Sequence, residues 1–241
     1  MSLASELDRT RQIRRAIEDL IARPELLGPA LQPITQVSDG QLVGHKATGR
    51  GNAGTSVADT LSLLAGARSL GLVERLDWAF RCHTFAVALD TPGIGELHLT
   101  PEPETFGSVC PPRLADAWNR GRRSLNVVAE LHDDAFGDLT LLQRACEEMR
   151  GWGWRFAVAD LAELPRVATT LEWIRPAYVE VDVARLNPDR VEQVAAWLEA
   201  GKALGAKVLA VNVGSNTPRS TLTTLTADVV RFITPAPVEP A

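Results

Sequence analysis

Cysteine is scarce in this chain. The 241 residues hold three, Cys82, Cys110 and Cys146, an odd number, far apart and with no CxxC pair. That count excludes a disulfide scaffold, gives no zinc-ligand spacing, and suits free thiols in a reducing cytoplasm. Lysine occurs only at 46, 202 and 207, so arginine carries nearly all the positive charge. A formal net charge of -5 leaves no broad basic surface to neutralise phosphates, which excludes a general nucleic-acid or anionic-membrane binder. No apolar run approaches the roughly eighteen residues of a membrane span. The start, Met1-Ser2-Leu3, turns at once into a charged helical pattern and lacks the apolar core of a signal peptide.

What is present is an ordinary globular balance, 45% hydrophobic and 23% charged, in a length suited to one large α/β domain. The arginine bias, beside abundant Ala, Gly and Pro, is a compositional hint of a GC-rich bacterial genome. From Leu7 to Leu27 apolar residues recur at helical spacing until Pro24 and Gly28 intervene, which predicts a leading helix over 4–24. Two extended runs, Ala30 to Val37 and Gln41 to Ala47, flank Ser38-Asp39-Gly40, a hairpin signal. The stretch 57–88 has helical periodicity broken near Gly71, predicting two packed helices. Short apolar runs at 96–99, 125–131, 155–160, 177–181, 207–213 and 229–233 then alternate with helical patterns at 111–121, 137–151, 163–174, 188–204 and 217–225. Counting the hairpin gives eight strands, and strand–helix alternation at this spacing implies a mostly parallel sheet closed into a barrel. An open doubly wound sheet is the structural rival. The barrel is expected over roughly 28–234, followed by a Pro-rich tail at 235–241, all as one domain.

The ordered landmarks resemble the EAL domain family, whose members include cyclic-di-GMP phosphodiesterases. Gln32-Pro33-Ile34 resembles the family's opening QPI strand, and Val43 to Arg50 stands where the family reads "GYEALLR". Leu99 to Phe106 is similar to "INxEPETL", Val128 to Asp133 to "LEITE", and Phe156 to Leu161 to "IALDDFG". Val179 to Asp182 lies where "LKID" belongs, and Leu209 to Ser215 replaces "IAEGVET". The resemblance spans nearly the whole chain in order. It implies an EAL-type modified (β/α)8 barrel, of the TIM kind, whose first strand is antiparallel to the rest, in agreement with the hairpin at Asp39-Gly40.

The resemblance also implies a phosphodiester hydrolysis that uses two divalent ions held by carboxylates at strand ends. This sequence departs from the family at those positions. Lys46 replaces the motif Glu; at about 4 Å and an effective dielectric of about 20, a unit-charge pair is worth about 4 kcal/mol, so attraction for a dication becomes repulsion. Thr100 replaces the Asn ligand and Ala159 the first Asp of the paired motif. Glu180 reverses the charge of the family's catalytic Lys, and the late Glu falls on Val211 or Gly214. Glu130 and Asp160 persist, with Gln32 and Arg50 as candidate nucleotide contacts and Asp182 as a further acid near the barrel's carboxyl end. Gln32 reads equally as part of the strand pattern, Arg50 as a solvated loop residue, and the acids as a remnant satisfied by arginines and backbone amides. Lys46 is expected to relieve the mutual repulsion of those acids as a structural ion pair.

Three other features carry less. Gly49 to Ser56 lacks the Gly-Lys-Ser/Thr ending of a phosphate loop. His45, His83, His98 and His132 come from separate elements with no i, i+4 pair, so no metal triad is signalled, although His132 beside Asp133 and Asp134 suits acid–base work. Trp152 and Trp154 suit either an exposed patch or packing under a barrel rim. The expectation is therefore a catalytically inactive, cytoplasmic EAL-like regulatory domain that works through a protein partner, with homodimerisation open. No catalytic residue, metal, cofactor, nucleic acid or membrane is expected, and cyclic-di-GMP is not the expected ligand. The rival readings are a non-hydrolysing receptor for cyclic-di-GMP or another nucleotide, and an enzyme of altered chemistry using Glu130, Asp160 or Glu180, whose mark would be raised carboxylate pKa values.

Overall fold

The structure, a computed structural model, describes residues 3–51, 54–55, 57–159, 167–186 and 191–233. Its strands close into one barrel in the order β1 to β8: Gly28–Gln36, Leu42–Arg50, Glu96–Leu99, Asn126–Leu131, Arg155–Ala159, Tyr178–Asp182, Lys207–Val213 and Val229–Phe232. The closed parallel arrangement, not the open sheet, is the one adopted. β1 is the exception in direction, pairing antiparallel with β8 through Ile34↔Arg231. The cause is local. Gly40 takes a φ of 74°, its N–H donates to Gln36 O at 3.1 Å, and Gln36 N donates to Gln41 O at 2.9 Å, so the chain reverses into β2. From β2 onward the described pairings are parallel, for example Lys46↔His98, Glu130↔Ala157 and Val179↔Val208.

The residues fall into two compact units, one holding 1–31, 47–94 and 101–126, the other 32–46, 95–100 and 127 onward. In the first, α1 (Leu3–Ala22), α2 (Thr60–Leu70) and α3 (Val73–Leu89) bury one apolar cluster built on Ile17, Leu20, Ile21, Leu63, Ala67, Val73 and Leu76. Asp59 caps α2 by accepting from Ser62 N, and Gly71 in the left-handed region ends it, as the break in periodicity predicts. The helix expected over 111–121 is instead a 3-10 turn at Pro112–Leu114 followed by α4 (Ala115–Ser124). Trp118 of α4 meets Trp78 edge-on at 5.0 Å and stacks on Phe85 at 5.6 Å.

The second unit carries most of the barrel, with α5 (Leu139–Gly151), α6 (Val167–Ile174), α7 (Val191–Ala203) and α8 (Arg219–Thr224). Inside it Ile34, Val128, Ala157, Tyr178, Leu209, Val211 and Val229 form one buried cluster. Asp138 caps α5, which is why that helix starts two residues later than its periodicity suggests. Trp154 is buried and Trp152 half-buried, their rings edge-on at 5.2 Å, so this pair packs rather than forming an open patch. Among the described residues no helix is long and apolar enough to cross a membrane. Asp160 and the tail at 235–241 lie outside the described residues.

Gly44 is the tightest point of the β2–β3 pair. A Cβ there would stand 2.2 Å from Glu96 O and 2.7 Å from Glu96 N, backbone atoms that cannot rotate away. Gly44→Ala is expected to cost about 3 kcal/mol or more. Urea unfolding of the variant measures it; a midpoint equal to the parent's would show that the two strands part easily.

Candidate functional site

The four even-numbered strands each send one charged side chain toward the same point: Lys46 from β2, Glu130 from β4, Glu180 from β6 and Arg231 from β8. Barrels draw a layer of interior side chains from alternate strands, and such layers are ordinarily branched and apolar. Here the layer is ionic. Glu130 is completely buried and both its oxygens accept: Lys46 Nζ donates to Oε2 at 2.5 Å, while Arg231 Nη1 and His98 Nδ1 donate to Oε1 at 2.9 and 3.0 Å. Lys46 also donates to Thr100 Oγ1, which places the residue aligned with the family's Asn ligand against the residue aligned with its Glu. Arg231 reaches on to Glu180 Oε1 at 3.4 Å, leaving Glu180 Oε2 buried with no hydrogen-bond partner.

These pairings set the ionisation of the group. Burial alone would raise the Glu130 carboxyl, but the charges of Lys46 and Arg231 hold it well below the usual range. Glu180 moves the other way, pushed up by burial and by the negative charge of Glu130. His98 is buried; its Nδ1 carries the proton given to Glu130, and its Nε2 stands 3.6 Å from Glu96 Oε2, too long for a hydrogen bond but close enough for charge attraction. Burial disfavours the imidazolium, yet Glu130 and Glu96 outweigh it and raise His98 above its ordinary value. His132 lies 3.8 Å from Glu130 Oε2 and is likewise raised by Glu130 and Glu180 against burial. Beneath, Glu96 accepts from Arg155 and from the Tyr178 hydroxyl, both at 2.9 Å; burial opposes ionisation, but these partners and His98 bring its carboxyl to about 2.

A cavity of about 210 Å³ opens on this layer, lined by His132, Ala159, Glu180, Asp182, Arg185, Val211, Asn212 and Arg231. Asp182 is engaged at its edge: it accepts from Ala184 N at 2.9 Å and Asn212 Nδ2 at 3.0 Å, and pairs with Arg185 at 3.4 Å. Asn212 holds a φ of 54° where the β7–β8 register shifts, and that bulge turns its amide onto Asp182.

Of the residues singled out in the sequence, Lys46 and Glu130 therefore meet directly, Glu180 joins them through Arg231, and Asp182 shares the cavity with Glu180. Gln32 is half-buried on β1 and does not line the cavity. Arg50 is the exposed last residue of β2. His98 enters the sequence reading only as one of four histidines without metal-ligand spacing, and Arg231 not at all; each is one alternating residue of a short strand, and only the register aims it inward. Glu130, His132 and Glu180 each offer a ligand atom, all within 4.8 Å of one another, a cluster the histidine spacing does not signal.

No family model and no curated protein matches the chain. Solved structures do. The chain is similar to the PaMucR phosphodiesterase in its c-di-GMP complex, at 17% identity over 93% of this chain and 94% of that one, with a TM-score of 0.71. It is similar to the Xanthomonas citri FimX EAL domain in complex with c-di-GMP, at 13% identity over 95% and 94%, TM-score 0.77. It is also similar to the S helix-GGDEF-EAL chain of Vibrio cholerae LapD, at 14% identity and TM-score 0.76, covering 92% of this chain and 56% of that longer one. The fold of this chain is that of an EAL-type domain.

Two outcomes are expected. Lys46→Glu sets a third carboxylate against a buried Glu130 and should cost about 3–5 kcal/mol in denaturant unfolding; a variant as stable as the parent would rule out the structural ion pair. The second concerns pH. His98 and His132, raised in the folded state, stabilise it below their ordinary 6.5 and lose that contribution as pH rises through their folded values. Glu96 and Glu130, depressed, contribute above 4.5 and lose it as pH falls. Raised Glu180 contributes below 4.5 and declines above it. Urea midpoints across pH 3–9 should fall on both sides of a mildly acidic maximum, and His98→Asn should flatten the alkaline side.

Proposed function

We propose that this chain is a cytoplasmic EAL-type module of cyclic-di-GMP signalling that does not hydrolyse the dinucleotide and works by binding another protein. The observation that carries the reading is the occupancy of Glu130. A divalent ion needs carboxylate oxygens, and both oxygens of Glu130 are already held by Lys46, Arg231 and His98. An ion entering between Glu130, His132 and Glu180 would also face two fixed positive charges, each repelling a dication at short range. Ala159 lines the cavity with a methyl group where the resemblance calls for an acid. Among the described residues the donor set, with both Glu130 oxygens engaged and two cations beside them, does not fit a Mg²⁺ or Mn²⁺ pair.

A second hollow, between the β1–β2 turn and the end of β7, holds about 490 Å³ and is of small-ligand size. At the ionic layer itself the cavity is too small for one, and a protein partner, with homodimerisation open, is the reading retained there. About 210 Å³ falls below the roughly 300–1,000 Å³ of common small-molecule pockets. A second reading, a non-hydrolysing cyclic-di-GMP receptor, is favoured by one fact: the PaMucR and FimX structures are c-di-GMP complexes. An enzyme of altered chemistry has in its favour only the raised Glu180 beside His132.

The test is calorimetric titration with cyclic-di-GMP, with Mg²⁺, Mn²⁺ or Ca²⁺ and without metal, followed by chromatography for the linear dinucleotide. No product and no saturable heat are expected in any condition. Saturable binding without turnover would replace the scaffold reading with the receptor. Linear product formed at a rate that scales with enzyme would overturn inactivity itself.

A further inference from the structure

Two thiols outside the ionic layer meet in the first compact unit. Cys82 is buried on α3, and Cys110 is half-buried in the segment between the 3-10 turns at Pro103–Thr105 and Pro112–Leu114. Although 28 positions apart in sequence, their Sγ atoms are 4.0 Å from one another, and both are free. The approach is held by its neighbours. Trp78, one helical turn before Cys82, donates from Nε1 to Ser108 Oγ at 2.8 Å. Thr105 Oγ1 donates to Asp77 Oδ2 at 2.8 Å and accepts from Arg81 at 3.0 Å. Three hydrogen bonds, from Thr105 and Ser108 to Asp77, Trp78 and Arg81, thus fix the approach to Cys110 against the part of α3 that carries Cys82.

We propose that Cys82 and Cys110 form a redox modification site that closes to an intramolecular disulfide by exchange with a small-molecule disulfide such as oxidised glutathione. Cys110, the more accessible thiol, attacks the small disulfide as thiolate, forming a mixed disulfide and releasing one small thiolate. Cys82 then attacks the Cys110 sulfur. Its proton passes to the departing second thiolate, so two protein thiols are oxidised and one small disulfide is reduced to two thiols. Burial pushes both thiols up, Cys82 further, while the Arg81 guanidinium favours the thiolate at each. The closed bond ties the segment bearing the exposed Val109 to α3 and shortens the unfolded chain by a loop.

The experiment is incubation of the full reduced chain with oxidised glutathione, then thiol titration in denaturant and peptide mapping without reductant. One of the three thiols is expected to remain. A peptide pair joining Cys82 to Cys110 should appear, with a thermal midpoint raised by roughly 10 °C and restored by reductant. Cys110→Ser should keep both its thiols and show no rise. Three thiols still titratable, a stable glutathione adduct on Cys110, or a linkage through Cys146 would each overturn the proposal.

Discussion

The barrel depends on one buried arrangement of charge, the chain Lys46–Glu130–Arg231–Glu180 drawn from its even strands. Taking any one of these ions out of water alone costs several kcal/mol, and only their mutual contacts offset that cost. The layer is tolerable because signs alternate along it, cation to anion to cation to anion. The same logic extends downward through His98, which stands between Glu130 and Glu96, and then to Arg155 and Tyr178. A set of side chains that would be disruptive singly becomes a cross-brace joining β2, β3, β4, β5, β6 and β8. Apolar residues such as Val128, Ala157 and Leu209 share the interior and keep the dielectric low, which strengthens each contact and raises the penalty for losing one.

The architecture was largely legible in the sequence because its signals are local. Eight short apolar runs, an Asp-Gly turn at 39–40 and a glycine at 71 are each readable within a dozen residues, and all correspond to elements of the fold. Errors fell at helix starts, where Pro112 and Asp138 replaced the first turn by a 3-10 segment or a cap. The EAL-type fold followed from the order of weak motifs, and the solved structures agree with it at identities of 13–17%.

The site was legible only in part. Glu130, Glu180 and Lys46 could be picked out by resemblance, and the attraction between Lys46 and the acids could be argued from charge alone. Arg231 could not, since a single arginine in a four-residue terminal strand looks like a solvated edge until pairing with β1 fixes which way it points. His98 reaches the Glu130 carboxylate from the neighbouring strand β3, an encounter made by strand pairing, whereas His132 stands two residues after Glu130 and shares its face by strand alternation. The proximity of Cys82 and Cys110 is of the same kind, a contact between a helix and a distant connection.

The engagement of both Glu130 oxygens also bears on what this barrel could become. A catalytic metal centre here would require new carboxylates near positions 46, 100 or 159, yet each single acidic change would first have to coexist with the present ionic chain. Replacing Lys46 alone removes the contact to Glu130 Oε2, and replacing Arg231 alone removes one contact to Glu130 and the hydrogen bond to Glu180. Each single step toward a metal-binding variant therefore disturbs a contact of the buried ionic layer, a cost that buried ion pairs make large. Laboratory evolution from this scaffold would gain ground by changing two or more layer positions together.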